Sequence, residues 1–185
     1  METEITAARA LYYEFLAFIF FFYEDDKKFL EWKKELEILQ KSPLGDAQNF
    51  EILKSFDFKS FKAEQNAVLF DFSISNVALS ASFYDEGRDE GKMKIFVSNI
   101  LKRSKFRKNE KEKNDEDFIG FIFYFMSVLL KNGETALSRE LFSSVIDKIA
   151  DKFSSALISH PNAVFFASIG KILRDFIELE RTIKR

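Results

Sequence analysis

The sequence predicts an all-α fold, a single helical bundle that spans residues 1–185. Apolar residues recur every three or four positions along most of the chain, which is the spacing of one helix face. The chain has only 6 Gly and 2 Pro, whereas a fold of many short strands would need more turn residues. Because 185 residues can enclose a sizeable core, we expect one domain.

Four helices are predicted in the first part of the chain. In the first of them, Leu11, Phe15, Phe18 and Phe22 lie on one face. Pro43 ends the second, because a proline disfavours helical geometry in the residue before it. The apolar pattern is more broken after that point, so the third and fourth helices are expected to be short. The predicted ranges are 3–23, 26–41, 48–55 and 60–71.

The segment 73–87 has the least helical pattern in the chain. β-Branched and small residues such as Ile74, Val77 and Ala81 are frequent in it. A strand is the alternative interpretation, but no other segment of similar character offers a pairing partner. We therefore expect an ordered extended loop.

Four further helices are predicted in the second part of the chain. The second of them is apolar on nearly every side, so we expect it to be the enclosed central helix. Asn114 or Asp115 is expected to cap its start, and Gly133 to follow its end. His160 and Pro161 end the next helix. The predicted ranges are 88–105, 114–132, 134–159 and 162–182.

The residues that most catalytic and metal sites require are missing from the sequence. There is no Cys, which excludes thiolate zinc sites, iron–sulfur ligation and cysteine nucleophiles. The one histidine, His160, cannot build a metal site alone and is expected to interact with the last carbonyl groups of the helix before it. Glycine spacing fits neither a phosphate-binding loop nor a dinucleotide fingerprint. We therefore predict no enzyme activity, no catalytic or metal-binding residue and no cofactor.

Charge and hydropathy indicate a cytoplasmic protein without a nucleic-acid or membrane role. The net charge of −2 creates no overall basic field. The connector Lys102–Lys113 has seven basic and two acidic residues, a net +5, but only one aromatic, so a solvated loop is preferred over a nucleic-acid surface. The uncharged runs Phe15–Tyr23 and Phe118–Leu130 are shorter than the roughly 20 residues that span a bilayer, and no export signal is recognised.

Several stretches resemble the motifs of one family. Arg9–Ala17 reads R-A-L-Y-Y-E-F-L-A, Leu69 and Phe70 close a middle helix, and Ala81–Gly87 reads A-S-F-Y-D-E-G. Asp115–Ile119 reads D-E-D-F-I and precedes Phe125 and Met126. In this order they resemble the TorD/DmsD/NarJ family of redox-enzyme maturation chaperones, which are all-helical cytoplasmic proteins. The resemblance covers most of the chain.

The sequence departs from the family pattern near its recognition motif. Asp115 stands where the family often has Pro, and Phe118 stands where it has His. Ile122 and Tyr124 occupy positions that are commonly Glu, whereas Asp117 is retained. The chain therefore resembles a divergent member, whose scaffold is closer to the family than its recognition site.

The resemblance implies a chaperone that binds the twin-arginine signal peptide, the apo-form, or both, of a molybdenum-cofactor oxidoreductase. The client would be a catalytic subunit of the formate dehydrogenase or S- or N-oxide reductase type, and the chaperone a monomer or homodimer. A peptide with two arginines and an apolar stretch requires an apolar groove with carboxylates at one end. The expected peptide-binding residues are Leu69, Phe70, Ser82, Phe83, Tyr84, Asp85, Glu86, Asp117 and Phe118.

Within this expected site, Tyr84 would give an apolar contact and Asp117 would help to receive arginine. The acidic groups Asp85–Glu90 and Asp115–Asp117 would supply the negative charge. One alternative is a helical adaptor or regulator with an unrelated protein partner, or with nucleic acid bound through Lys102–Lys113. Another is a small-molecule or nucleotide-binding protein, although no motif supports nucleotide binding.

Overall fold

In a computed structural model, which describes residues 2–71, 76–109 and 114–183, the chain consists of helices and their connections. The predicted all-α fold is confirmed, because the described residues form no strand and only one isolated antiparallel bridge, between Ser80 and Phe118. The α-helices are α1 Glu2–Phe18, α2 Lys27–Leu39, α3 Ala47–Ser55, α4 Phe58–Gln65, α5 Ala81–Glu86, α6 Lys92–Arg103, α7 Ile119–Lys131, α8 Thr135–Leu141, α9 Asp147–Ser159 and α10 Phe165–Ile183.

Two π-helical turns interrupt the regular helices. The turn π1, Asn66–Phe70, continues α4, and the turn π2, Phe142–Ile146, joins α8 to α9. The predicted helix over 134–159 is therefore one continuous path that contains a π turn. The sequence pattern does not reveal such turns, because they insert a single residue into an otherwise regular helix.

The helices with clear start and stop signals follow the prediction within about two residues. Asp46 caps α3 and Asp57 caps α4, each through its side chain. The first helix was predicted too long. It ends at Phe18, and the amides of Phe20 and Phe21 donate to the carbonyls three residues earlier, which is a tight turn rather than a continued α-helix.

The prediction of an extended loop over 73–87 was wrong for its second half, where residues 81–86 form α5. Ser80 lies in extended geometry before α5, and Gly87 ends the helix with a φ of +73°, its amide donating to the Phe83 carbonyl. Residues 76–79 have no regular secondary structure, and the Val77 amide donates to the Val68 carbonyl. Residues 73–75 lie outside the described part.

Two later helices begin four or five residues after their predicted starts. Helix α6 begins at Lys92 because Glu90, with a φ of +56°, cannot be helical. Helix α7 begins at Ile119, so the predicted cap at Asn114 or Asp115 was wrong. The residues just before α7 bond instead to the segment that precedes α5.

The described chain forms two compact units, and the prediction of one domain stays a prediction. The first unit comprises Met1–Phe21 and Leu79–Ile149, and the second comprises Phe22–Ala78 and Ala150–Arg185. No helix in the described part of the chain is long and apolar enough to cross a membrane.

Helix α7 is the core of the first unit, as predicted. Ten of its 13 residues are buried, which leaves almost no solvent-facing side. Helix α1 packs along it, and the rings of Tyr13 and Phe20 lie 6.0 and 6.2 Å from the ring of Phe123. Gly133 follows the helix with a φ of +69° and donates its amide to the Leu130 carbonyl, so the predicted C-terminal glycine is confirmed.

An aromatic cluster is the core of the second unit. The rings of Phe29 and Phe61 stack at 4.9 Å, and Phe61 lies 5.1 Å from Phe165. One buried carboxylate, Glu64, organises the start of α10. Its Oε1 accepts hydrogen bonds of 2.8 Å from the amides of Val164 and Phe166, which α10 itself cannot satisfy.

His160 lies between α9 and α10, and its predicted partner was wrong. Its Nδ1 accepts a hydrogen bond from the amide of Asn162, whereas its buried Nε2 has no partner among the described atoms. The imidazole therefore supports the turn that follows α9 rather than the last carbonyl groups of that helix.

We predict that Phe123→Ala lowers the free energy of unfolding by about 3–5 kcal/mol, through lost burial and a residual cavity. Phe123 is buried beside the rings of Tyr13 in α1 and Phe20 in the turn that follows α1. Denaturant unfolding measures the change, and Ile95→Ala, at a residue that is 62% exposed in the same unit, is the control with a change below about 1 kcal/mol. Equal effects of the two substitutions would show that α7 is peripheral.

We predict that Glu64→Ala destabilises the protein by about 2–3 kcal/mol, because two buried amides lose a charged acceptor. Glu64→Gln keeps an oxygen acceptor and is expected to cost less. The exposed Glu37 gives the matched control Glu37→Ala, for which thermal unfolding should change little. A Gln variant as unstable as the Ala variant would contradict the capping role.

Candidate functional site

The expected peptide-binding residues are distributed over both units. Leu69 and Phe70 belong to the second unit, whereas Ser82–Glu86, Asp117 and Phe118 belong to the first. Within the first unit the structure brings two sequence-distant groups together, α5 and the start of α7. The expected residues therefore fall into two separate groups, one in each unit.

Residues 79–81 are fastened to residues 117–119 by three hydrogen bonds. The Ala81 amide donates to the Asp117 carbonyl and the Ile119 amide donates to the Leu79 carbonyl, both at 2.8 Å. The Ser80 hydroxyl donates to Oδ2 of Asp117, also at 2.8 Å. These bonds fix the first residue of α5 against the first residue of α7.

The Asp117 side chain is enclosed by this pairing and is only 2% exposed. A carboxylate at such a position is satisfied locally by the Ser80 hydroxyl and faces little solvent. Its neighbour Phe118 is half-buried, and its ring meets the ring of Phe21 edge-on at 5.0 Å. The Asp117 side chain therefore holds the junction of α5 and α7 together, whereas the Phe118 ring packs against the segment that follows α1.

Helix α5 presents one aromatic side chain to solvent. Phe83 is 45% exposed, whereas Tyr84 is 7% exposed, and their rings meet edge-on at 5.4 Å. Burial raises the pKa of the Tyr84 phenol above its ordinary value, so this group stays neutral. The Ser82 hydroxyl is buried and has no hydrogen-bond partner among the described atoms. The accessible apolar contact on α5 is Phe83.

Most carboxylates near α5 already have a cationic partner. Glu86 forms ion pairs with Arg88 and Lys92 at 3.0 and 3.3 Å. Burial alone would raise the pKa of the Glu86 carboxyl, but hydrogen bonds from Lys92 and Arg88 lower it below its ordinary value. Gly91 permits this arrangement, because a Cβ there would lie 2.6 Å from Oε2 of Glu86.

Two lysines form ion pairs with other acids of this region, which leaves two carboxylates without a partner in the described structure. Lys94 bridges Glu90 and Asp115, at 3.4 and 2.8 Å, and Lys108 pairs with Glu116. In the two acidic groups 85–90 and 115–117, only two exposed carboxylates lack a hydrogen-bond or ion-pair partner in the described structure. They are Asp85 and Asp89.

The second unit contributes an apolar surface at the end of α4. Leu69 is buried, Phe70 is half-buried, and the Phe70 ring meets the exposed ring of Phe22 edge-on at 6.0 Å. The Nζ of Lys62 lies 3.6 Å from the centre of the Phe22 ring, a cation–π contact. The π1 turn contains Leu69 and Phe70, and such turns are frequent at functional sites.

Most residues of the described part of the basic connector are exposed, and a few of its side chains contact the rest of the chain. Arg103 pairs with Glu140 at 2.5 Å, and Lys108 pairs with Glu116 at 3.3 Å. Phe106 anchors the segment on α7. Its ring packs against the rings of Phe121, Tyr124 and Phe125. Residues 110–113 of the predicted connector lie outside the described part.

Comparison with known proteins supports one family and one fold. Residues 54–163 match the family described as nitrate reductase delta subunit. The fold is similar to the crystal structure of a proposed redox enzyme maturation protein from Archaeoglobus fulgidus, with a TM-score of 0.66 and 18% identity. That match covers 91% of this chain and 93% of the other, and it concerns the fold alone. No curated protein matches the sequence.

We predict that Asp117→Ala lowers the free energy of unfolding by about 1–3 kcal/mol, because the Ser80 hydroxyl loses its buried acceptor. Asp117→Asn keeps an acceptor oxygen and is expected to cost less. Asp89→Asn, at an exposed carboxylate without a partner, serves as the control, with a change within about 0.5 kcal/mol. Urea unfolding of the three variants gives the comparison. An unchanged Asp117→Ala variant would refute the fastening role.

Proposed function

The chain belongs to the nitrate reductase delta subunit family, and we propose that it is a cytoplasmic chaperone that binds the twin-arginine signal peptide of a redox enzyme during that enzyme's maturation. The family match confirms the resemblance to TorD/DmsD/NarJ chaperones. The family and the all-helical fold support a chaperone role. The identity of the bound segment is our inference from the chemistry of the first unit.

The two exposed carboxylates without a partner, Asp85 and Asp89, carry the proposal. A guanidinium group gains most from a carboxylate that is not already neutralised by another cation. Phe83 on the same helix offers the accessible apolar contact. Two arginines followed by an apolar stretch match this combination of two carboxylates and an exposed aromatic ring.

Under this proposal the buried site residues have a positioning role. Ser82, Tyr84 and Asp117 are each less than 10% exposed, so they shape α5 and its junction with α7 rather than contact the peptide directly. The Phe118 ring packs against Phe21 and supports the start of α7 through that contact. Glu86 orders the loop after α5 through its two basic partners.

The Phe22 and Phe70 surface of the second unit is suited to the apolar part of the client. Both rings are accessible, and the ammonium group of Lys62 beside them repels an arginine side chain. We therefore propose that Phe70, supported by the buried Leu69, belongs to a separate apolar contact surface of the second unit, and that the arginines bind at α5 of the first unit. A molybdenum-cofactor enzyme of the formate dehydrogenase or S- or N-oxide reductase type is the client class that we propose.

The nucleic-acid alternative has less support from the structure. Arg103 and Lys108 of the connector form ion pairs with acidic side chains of the chain itself. The Arg107 guanidinium donates to the carbonyl oxygens of Ser104 and Phe106. A phosphate backbone would have to compete with these contacts.

We predict that Asp85→Asn and Asp89→Asn each weaken binding of a peptide with two adjacent arginines and an apolar stretch by about 2–5-fold, as expected for exposed ion pairs. The double variant should lose about 4–25-fold if the two free-energy effects add. Calorimetric titration gives the dissociation constants. Glu90→Gln, at an acid already paired with Lys94, is the matched control, with a change of less than about twofold.

A second peptide, with both arginines replaced by glutamine, separates charge recognition from apolar binding. It should bind the wild type and the double variant equally weakly. If the double variant stays folded and binds the arginine peptide as tightly as the wild type does, the arginine site lies elsewhere. If Glu90→Gln weakens binding as much as Asp89→Asn, the effect reflects total charge and not these two carboxylates.

A further inference from the structure

The second unit contains an open cavity that no part of the proposed peptide site uses. It has a volume of about 720 Å³ and lies between α2 and the connection from α3 to α4. Sites for small molecules usually enclose about 300–1,000 Å³. The apolar part of its wall consists of Phe29, Leu30, Phe56 and Phe58.

The aromatic wall is held rigidly by the core behind it. Phe29 stacks on Phe61 at 4.9 Å and on Trp32 at 5.5 Å. Phe56 meets Phe165 at 5.3 Å. The rings that face the cavity are therefore fixed before any ligand arrives, which lowers the entropy cost of binding.

Lys33 gives the cavity its polar feature. Its ammonium donates to the carbonyl oxygen of Lys54 at 2.5 Å and lies 5.6 Å from the centre of the Phe29 ring. No carboxylate in the described structure forms an ion pair with it, and burial lowers the pKa of this ammonium, a shift that the charge of Asp57 opposes. A partly dehydrated ammonium with N–H groups to spare is stabilised by an added anion.

The other charges on the wall favour an anion by a small margin. Lys54 and Lys59 add two cations to Lys33, against the two carboxylates of Asp26 and Asp57. The Asp57 carboxylate accepts a 2.7 Å hydrogen bond from the Ser60 amide, which lowers the pKa of that carboxyl, and so it is committed to capping α4. The wall therefore combines fixed aromatic rings with a net charge of +1.

We propose that this cavity binds a small apolar carboxylate, whose hydrocarbon body packs on Leu30, Phe56 and Phe58 and whose carboxylate pairs with the ammonium of Lys33. This site is independent of the proposed peptide site, because none of its lining residues is among the proposed peptide contacts.

Two probes of similar size, whose head groups carry opposite charge, test the proposal. They are 4-phenylbutyrate and 4-phenylbutylamine, titrated into the full chain with amide resonances recorded by two-dimensional NMR. We expect the carboxylate to bind with a dissociation constant of about 1 mM or tighter and to shift resonances within 26–33 and 54–59. The amine should bind about tenfold more weakly, because it loses the charge-assisted hydrogen bond and meets Lys33 with like charge.

Two lysines on α2 provide the matched variants. Lys33→Met removes the charge and keeps an unbranched apolar stem of similar length, and we expect about a tenfold weaker affinity for 4-phenylbutyrate. Lys34→Met, at an exposed lysine outside the cavity wall, should change the affinity less than about twofold. Leu30→Ala should weaken both probes alike, because it removes apolar contact without changing charge.

Three outcomes would overturn the proposal. The first is equal affinity for the carboxylate and the amine, and the second is an equal effect of Lys33→Met and Lys34→Met. The third is tighter binding of a peptide than of 4-phenylbutyrate, with shifts of the same resonances. That peptide is short, has one phenylalanine and one aspartate side chain, and is acetylated and amidated at its ends. That result would assign the cavity to a protein segment. The result of each of these tests does not depend on whether the arginine peptide binds.

Discussion

The pairing of residues 79–81 with residues 117–119 is the interaction on which the first unit depends. It holds the start of α5 against the start of α7, and it buries the Asp117 carboxylate against the Ser80 hydroxyl. Because α7 is enclosed on nearly all sides, its position is fixed by the surrounding core. The side chains that α5 exposes to solvent are therefore attached to a rigid core.

Ion pairs and hydrogen bonds within the first unit determine which of its carboxylates can bind a cationic peptide. The sequence contains seven carboxylates in the groups 85–90 and 115–117, and a count of acids alone would make all of them candidates for arginine. Lysines and arginines of the same region neutralise four of them, and Ser80 occupies a fifth. An exposed, unneutralised carboxylate is the group that a cationic peptide can reach, and this leaves Asp85 and Asp89.

The second unit is held together differently, because its core consists of many large aromatic rings packed between short helices. Phe29 and Phe61 stack, and Phe165 closes the cluster from α10. The buried Glu64 carboxylate holds the first amides of α10 in register with α4. Phe29 of this cluster also lines the open cavity with Phe56 and Phe58, so the packing that stabilises the unit holds the aromatic wall of the cavity in place.

The sequence by itself determined the helical class, the enclosed character of α7 and the glycine after α7. These features follow from local periodicity and from the backbone freedom of one residue. The tertiary structure decided where α1 and α7 end and begin, that 81–86 is a helix, and which acids are paired. The bond between Ser80 and Asp117 joins residues 37 positions apart, as does the bond between Arg103 and Glu140. A local pattern carries no information about such partners, because only the packed chain brings them within hydrogen-bond distance.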